Sequence, residues 1–374
     1  MKRYSLLIIS ISCIILYLIF NSSEGNLAIE KVDVCSGISF DIIASSPVNE
    51  YNVGASVYTF PQKNEVSSLI LDAFGKNIPD TRSNRSTISS KQFLLGLQKV
   101  FIFSEAVATY GINPIADIWF SNQQMNDSTW SVVCKDNAID MLKFKSKDFA
   151  SSADQIDGII ERSTEQHFMS NDYKVVDMYA RVGSEGRNLV IPYIEILNNK
   201  ITLTGMAVFK KDKMVEKVPM KEASYLNILR NNKVKGTLTL QKDSLHLIST
   251  YGESKRKVHC EKINGKYKFN IDIEFKGNVI SNTMYKDFMV NPKTVEKYSH
   301  ELEEETVKRC NEFIYKMQNE YKVDCLELGR DAAAAFGRDP KTDWDNIVCN
   351  ADITVNVKVK VDNLGRGQFL SENK

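Results

Sequence analysis

The sequence predicts an α+β chain of several domains: mixed β-sheets, each flanked by helices, with a long C-terminal amphipathic helix packed on a sheet. Three observations point there. From Thr294 onward apolar or semi-apolar residues recur at Val295, Tyr298, Leu302, Thr306, Cys310, Phe313, Met317 and Tyr321, in steps of three and four that line one helical face. From Ala351 to Val361 every odd position is apolar and every even one polar, the period of a strand with one face in a core and one in water. Upstream, short apolar runs alternate with helical patterns, as in α/β or α+β domains. The valine face of the last strand needs a cover, and the helix has the stripe to provide it.

In chain order, the first element is a leader. Met1-Lys2-Arg3 is positive, Tyr4 to Phe20 is apolar apart from a few serines, and Asn21-Ser22-Ser23-Glu24-Gly25 ends the run. Its length is short for a membrane span and long for a signal core, so three readings stand: an uncleaved anchor, lipid attachment at Cys13 behind Ser12, or cleavage near Ser22-Ser23. Positive residues ahead of the run keep the start in the cytoplasm and send the rest outward. The expected division is a signal or anchor over 1–24, an N-terminal α/β region over 26–195, and a C-terminal α+β domain over 197–370. A further split near 110–150 remains open.

Residues 29–43 read as a strand with Gly37 at a bulge, and 51–60 as its neighbour. Residues 66–75 read as a helix stopped by Gly75, and 81–86 as a polar loop whose arginines are solvated rather than anion-binding. A strand is predicted at 99–103, helices at 106–110 and from Asn113-Pro114, a strand at 130–134 and a helix at 138–144. Helical character around Ile156, Ile159 and Ile160 follows. The run 188–197, with Pro192 inside it, fits an edge strand or a domain link. A second β-rich unit begins with Ile201, Leu203, Gly205, Ala207 and Phe209, turns at 210–213, and carries a short helix at 223–229. Successive strands are predicted at 237–240, 244–249 and 255–261, then a clean alternation through Phe269, Ile271, Ile273 and Phe275. A loop is expected between the long helix and the final strand.

With 374 residues, 43% of them hydrophobic and 25% charged, the chain is ordinary globular material, enough for two or three domains. Lys plus Arg (48) nearly cancels Asp plus Glu (47), whereas a nucleic-acid binder normally carries a basic excess. Cysteines at 13, 35, 134, 260, 310, 325 and 349 form no C-x-x-C pair, and histidines at 167, 246, 259 and 300 are equally dispersed, so a zinc site is not expected. A disulfide among Cys310, Cys325 and Cys349 is compatible with the order but not deducible from it. There is no phosphate-binding glycine loop, dinucleotide fingerprint, nucleophile elbow or H-E-x-x-H. Asp339, Asp343 and Asp345 around Trp344 do not have calcium-loop spacing and read as a solvated turn. Glu301 to Glu305 read as helix surface, and Trp119 and Trp130 as core. No catalytic, metal or cofactor residue is assigned.

The order of these segments resembles the C subunit of spore germinant receptors, the Ger(x)C or GerAC-like family. The resemblance is carried by Asn26-Leu27-Ala28-Ile29 leading to Ser36-Gly37-Ile38-Ser39-Phe40-Asp41, and by Lys99 to Glu105 with Gly111-Ile112 and Pro114. It continues through Leu203 to Lys210 with Lys213-Met214-Val215, and Tyr321 to Arg330 ahead of Asp343-Trp344. It runs from about residue 26 to 367, and the Lys/Ile/Asn-rich composition suits a clostridial member. The resemblance implies separate mixed α/β domains, commonly counted as three, and no catalytic residues. It also implies work beside an A-type and a B-type membrane subunit, at the extracytoplasmic face of the inner spore membrane. One departure stands out: the family's lipobox cysteine followed by Trp-Asp is replaced by Asn21 to Gly25, leaving Cys13 as the nearest thiol. Two other readings stay open, an anchored solute-binding protein holding the germinant and a cell-wall hydrolase.

Overall fold

The computed structural model describes residues 10–17, 31–43, 49–60, 66–121 and 125–363. Of the leader, only the helix at 10–17 falls within them. Among the described residues no helix is long and apolar enough to cross a membrane.

The first sheet has nine strands. β1 (Val32–Ile43), β2 (Glu50–Thr59) and β3 (Ser67–Gly75) form an antiparallel meander, and the short β4 (Gln92–Leu94) runs parallel beside the start of β1. β5 (Val100–Ser104), β6 (Trp130–Cys134) and β7 (Val190–Leu197) continue parallel from β1. β8 (Lys200–Lys210) and β9 (Lys213–Pro219) close the sheet antiparallel. Every residue of β5 and β6 is buried, because the parallel centre is covered on both faces. One face carries α2 (Glu105–Tyr110), α3 (Asn113–Ser121) and α6 (Val175–Arg181) against Phe101, Phe103 and Val133. Here Trp119 stacks on Phe101 with centroids 4.6 Å apart, and Phe40 on Phe103 at 5.5 Å. The other face carries α4 (Ala138–Lys143), α5 (Ser152–Ser163) and α7 (Met220–Arg230) against Val100, Ile102 and Val132.

The second sheet runs β10 (Val234–Gln241), β11 (Leu247–Ile263), β12 (Lys266–Asn282), β13 (Asp352–Asn363). β13 is parallel to β12, and the crossover between them contains α8 (Pro292–Lys316), which a π-helical turn (Met317–Tyr321) extends. α8 buries Tyr298, Leu302, Thr306, Cys310 and Phe313 of the predicted stripe together with Ile314, leaves Val295 half-buried, and packs on β13, β10 and α7. The core beneath it is continuous with the α4–α5–α7 face of the first sheet.

Several expectations are corrected. Residues 67–75 form an edge strand, because they pair with β2 along its whole length from Thr59↔Ser67 to Tyr51↔Gly75; the free edge of β2 outweighs local helical propensity. Gly75 is a close-approach site rather than a helix stop, since a Cβ there would lie 2.6 Å from the Thr81 nitrogen. The presumed loop at 81–86 belongs to α1 (Ile78–Ser86), whose N-cap Asn77 accepts from the Asp80 nitrogen at 2.9 Å, with Pro79 in the first turn. β7 is an interior strand and not an edge: pairing to β6 begins only at Tyr193, so Pro192 interrupts no ladder bond on that side. The two strands predicted at 244–249 and 255–261 are one, β11, held along its full length by β12. The expected loop before β13 contains α9 (Leu328–Phe336) and α10 (Trp344–Cys349), and α6 was not anticipated. All seven cysteines are free, so no disulfide joins Cys310, Cys325 and Cys349. The bulge in β1 is present, with the register shifting between Cys35 and Gly37.

Candidate functional site

The most densely built polar site lies where the 322–330 segment meets the first sheet's helices. Glu327, the residue before α9, takes the left-handed conformation (φ 58) and is 3% exposed. Four guanidiniums converge on its carboxylate: Arg230 at 2.7 Å from the end of α7, Arg181 at 2.8 Å from α6, Arg330 at 2.8 Å from α9, and Arg187 at 3.2 Å from the strap before β7. Arg181 also pairs with Asp172, and Arg230 donates to the carbonyls of Cys325 (2.5 Å) and Asn188 (3.0 Å). Burial alone pushes the Glu327 carboxyl up, but Arg230, Arg181 and Arg187 outweigh it and hold it at about 2.

Beside it Asp324, fully buried, accepts from the Leu326 nitrogen at 3.0 Å and the Gly329 nitrogen at 2.7 Å. Burial raises its carboxyl to about 6. Asp345 accepts from the Asp324 nitrogen (2.9 Å) and from Asn188 Nδ2 (2.6 Å), while Glu185 accepts from Trp344 Nε1 at 2.8 Å. The two backbones touch through glycines. A Cβ on Gly186 (φ +66) would sit 2.3 Å from the Arg330 nitrogen, and one on Gly329 would sit 2.9 Å from the Gly186 Cα. The arrangement is a lock: Arg181 and Arg230 are enclosed with Glu327, Arg187 and Arg330 reach it from nearer the surface, and together they hold two parts of the chain in register.

Other residues singled out earlier are placed as follows. Asp343 caps α10 through the Asn346 nitrogen at 3.1 Å, Asp339 accepts from the Lys341 nitrogen at 3.0 Å, and Asp345 belongs to the lock. Among the described residues no three His, Cys, Asp or Glu side chains are grouped to hold a metal. Glu301 accepts from Tyr285 Oη (2.9 Å), Glu303 from the Val359 nitrogen (2.8 Å), and Glu305 pairs with Arg309 (2.7 Å). Trp119 and Trp130 are 5% and 7% exposed, both core. Cys13 is exposed on the 10–17 helix. Burial pushes the thiols of Cys35, Cys310 and Cys349 up to about 12, so they stay protonated near neutral pH. The Glu327 lock was not predicted as a site, although Tyr321 to Arg330 is one of the segments that carry the family resemblance.

Among the described residues the outer face of the second sheet carries no helix and is a polar ladder. Lys360 pairs with Glu274, Lys276 with Asp362 at 3.2 Å, and Asn356 donates to Asp272 at 2.8 Å. By contrast the edge strand β3 exposes Leu69 and Phe74.

Comparison with known proteins bears on this geometry. Residues 26–196 match the family described as "Spore germination protein N-terminal domain", and residues 204–365 the one described as "Spore germination B3/ GerAC like, C-terminal". The spore germination protein GerQC of Bacillus cereus is 22% identical over 308 residues, spanning 80% of this chain and 84% of that one. The crystal structure of the GerBC protein superposes with a TM-score of 0.58 at 15% identity, covering 87% of this chain and 97% of that one, and so shares its fold.

Proposed function

The chain belongs to the Ger(x)C (GerAC-like) family of spore germinant receptor C subunits, and from that premise we propose that it is a non-enzymatic scaffold within such a receptor. It stands at the extracytoplasmic face of the inner spore membrane beside an A-type and a B-type membrane subunit, and nutrient-triggered germination depends on it. Residues 1–24 supply the tether, through the apolar run itself or through lipid on Cys13. Confinement to one membrane raises the local concentration of all three subunits, so modest contacts suffice for assembly.

The observation that carries this reading is that the two family matches tile residues 26–196 and 204–365. The lock around Glu327 supports it, because a body meant for contact gains from a fixed joint. Deletion of the gene should abolish the germination response that its receptor mediates while vegetative growth stays normal. A wild-type response in the deletion strain would contradict the proposal. A second reading, an anchored solute-binding protein, is favoured by one specific feature, a cleft beside β1 and β2.

A further inference from the structure

A cleft of about 520 Å³ opens between the β1–β2 face, α1 and α3, and it shares no residue with the Glu327 lock. Its floor is apolar, formed by Ile38, Phe40, Val53 and Ala55, with Trp119 along one side. Its lining also includes Arg82, Arg85 and Lys91 and, among the described residues, not one carboxylate. Arg82 and Lys91 are exposed, while Arg85 is half-buried, its guanidinium 5.5 Å from the Phe93 ring centroid. Arg85 Nη1 donates to the Val53 carbonyl at 3.1 Å. Its Nε is buried with no hydrogen-bond partner, and Arg85 forms no ion pair among the described residues.

These features are complementary to one kind of ligand. A volume of this size suits a small organic molecule, and the aromatic and aliphatic floor suits an apolar body. With its Nε buried and unpaired, Arg85 is an undercompensated cation, which favours an anion beside its guanidinium. A carboxylate is the acceptor that the planar guanidinium fork holds best. Water in the cleft would leave three neighbouring cations uncompensated. An ammonium group would meet those cations with no carboxylate in the lining to offset them.

We propose that this cleft binds a small organic carboxylate with an aromatic or branched apolar body and no ammonium group, its carboxylate on Arg85. The inference goes beyond the scaffold reading above, and assembly with the membrane subunits is measured separately, so either can fail alone. The full chain is titrated by calorimetry with phenylacetate, L-phenylalanine and phenethylammonium. Phenylacetate should bind saturably at millimolar concentration or below, L-phenylalanine more weakly, and phenethylammonium not at all. Arg85→Gln should weaken phenylacetate by at least about tenfold, and Arg82→Gln, on the exposed rim, by less. If Arg85→Gln does not fold, Arg85→Lys carries the same test, because it keeps the charge and loses the fork. Absence of saturable binding, equal affinity for phenethylammonium, or unchanged affinity in the folded Arg85 variant overturns the proposal.

Discussion

Glu327 is acceptor to four arginines drawn from α6, α7, α9 and the strap before β7. Removing its charge strands Arg181 and Arg230 in a buried setting, which is costlier than losing a surface pair. Glu327→Gln should therefore lower unfolding free energy by about 3–5 kcal/mol, measured by denaturant titration at neutral pH. Its pH signature is also fixed. The carboxyl sits at about 2 in the fold against an ordinary 4.5, so its stabilisation is complete above 4.5 and is lost as pH falls toward 2. Asp324 runs the other way. With its carboxyl raised from 3.8 to about 6, the folded state binds the extra proton between those values, and stability is lost as pH rises through about 6. Melting curves of wild type and Asp324→Asn should show that loss in the wild type only.

At the scale of the element, α8 is the clearest case of pattern becoming structure. Leu302 is 1% exposed and Glu304 points to water. Leu302→Ala should cost about 2–5 kcal/mol, whereas Glu304→Ala should stay within about 0.5 kcal/mol; the same denaturant titration reads both. α8, β12 and β13 were legible because each has one wet face and one dry one, which writes a period into the residues. β3 was not. Its Leu69-Ile70-Leu71 run has apolar residues on both sides of the strand, and what makes it a strand is the free edge of β2, a partner that local sequence does not display. α1 was hidden for a different reason. Its signal was a cap, Asn77 with Asp80 and a first-turn proline, rather than an apolar stripe. β11 was divided in two because its distal half, past Ser254, loses the buried alternation while keeping its ladder to β12.

In the whole molecule, the two sheets share one hydrophobic core and are pinned across it by the 185–188 and 324–330 segments. The two family matches divide between residues 196 and 204, while the first sheet continues across that point through β8 and β9. The lock was beyond reach of sequence patterning for a physical reason: its arginines lie about 100 residues or more from Glu327 in part, and only the fold brings Arg181, Arg187 and Arg230 together. What could be read was indirect: Tyr321 to Arg330 is one of several segments whose order carries the family resemblance. Gly186→Val, which places a branched side chain against the Arg330 backbone at a positive φ, should force the two segments apart. Calorimetric melting should then broaden or split, whereas the wild type should melt in one step.

The central claim is that this chain works by contact within a receptor, and co-purification from spore membranes tests it most directly. A tagged full-length chain is extracted in mild detergent from spores that also make the candidate A-type and B-type subunits. The account predicts that both subunits are recovered with it in fixed proportion. Recovery of the folded chain alone, with both subunits intact in the same extract, would contradict it.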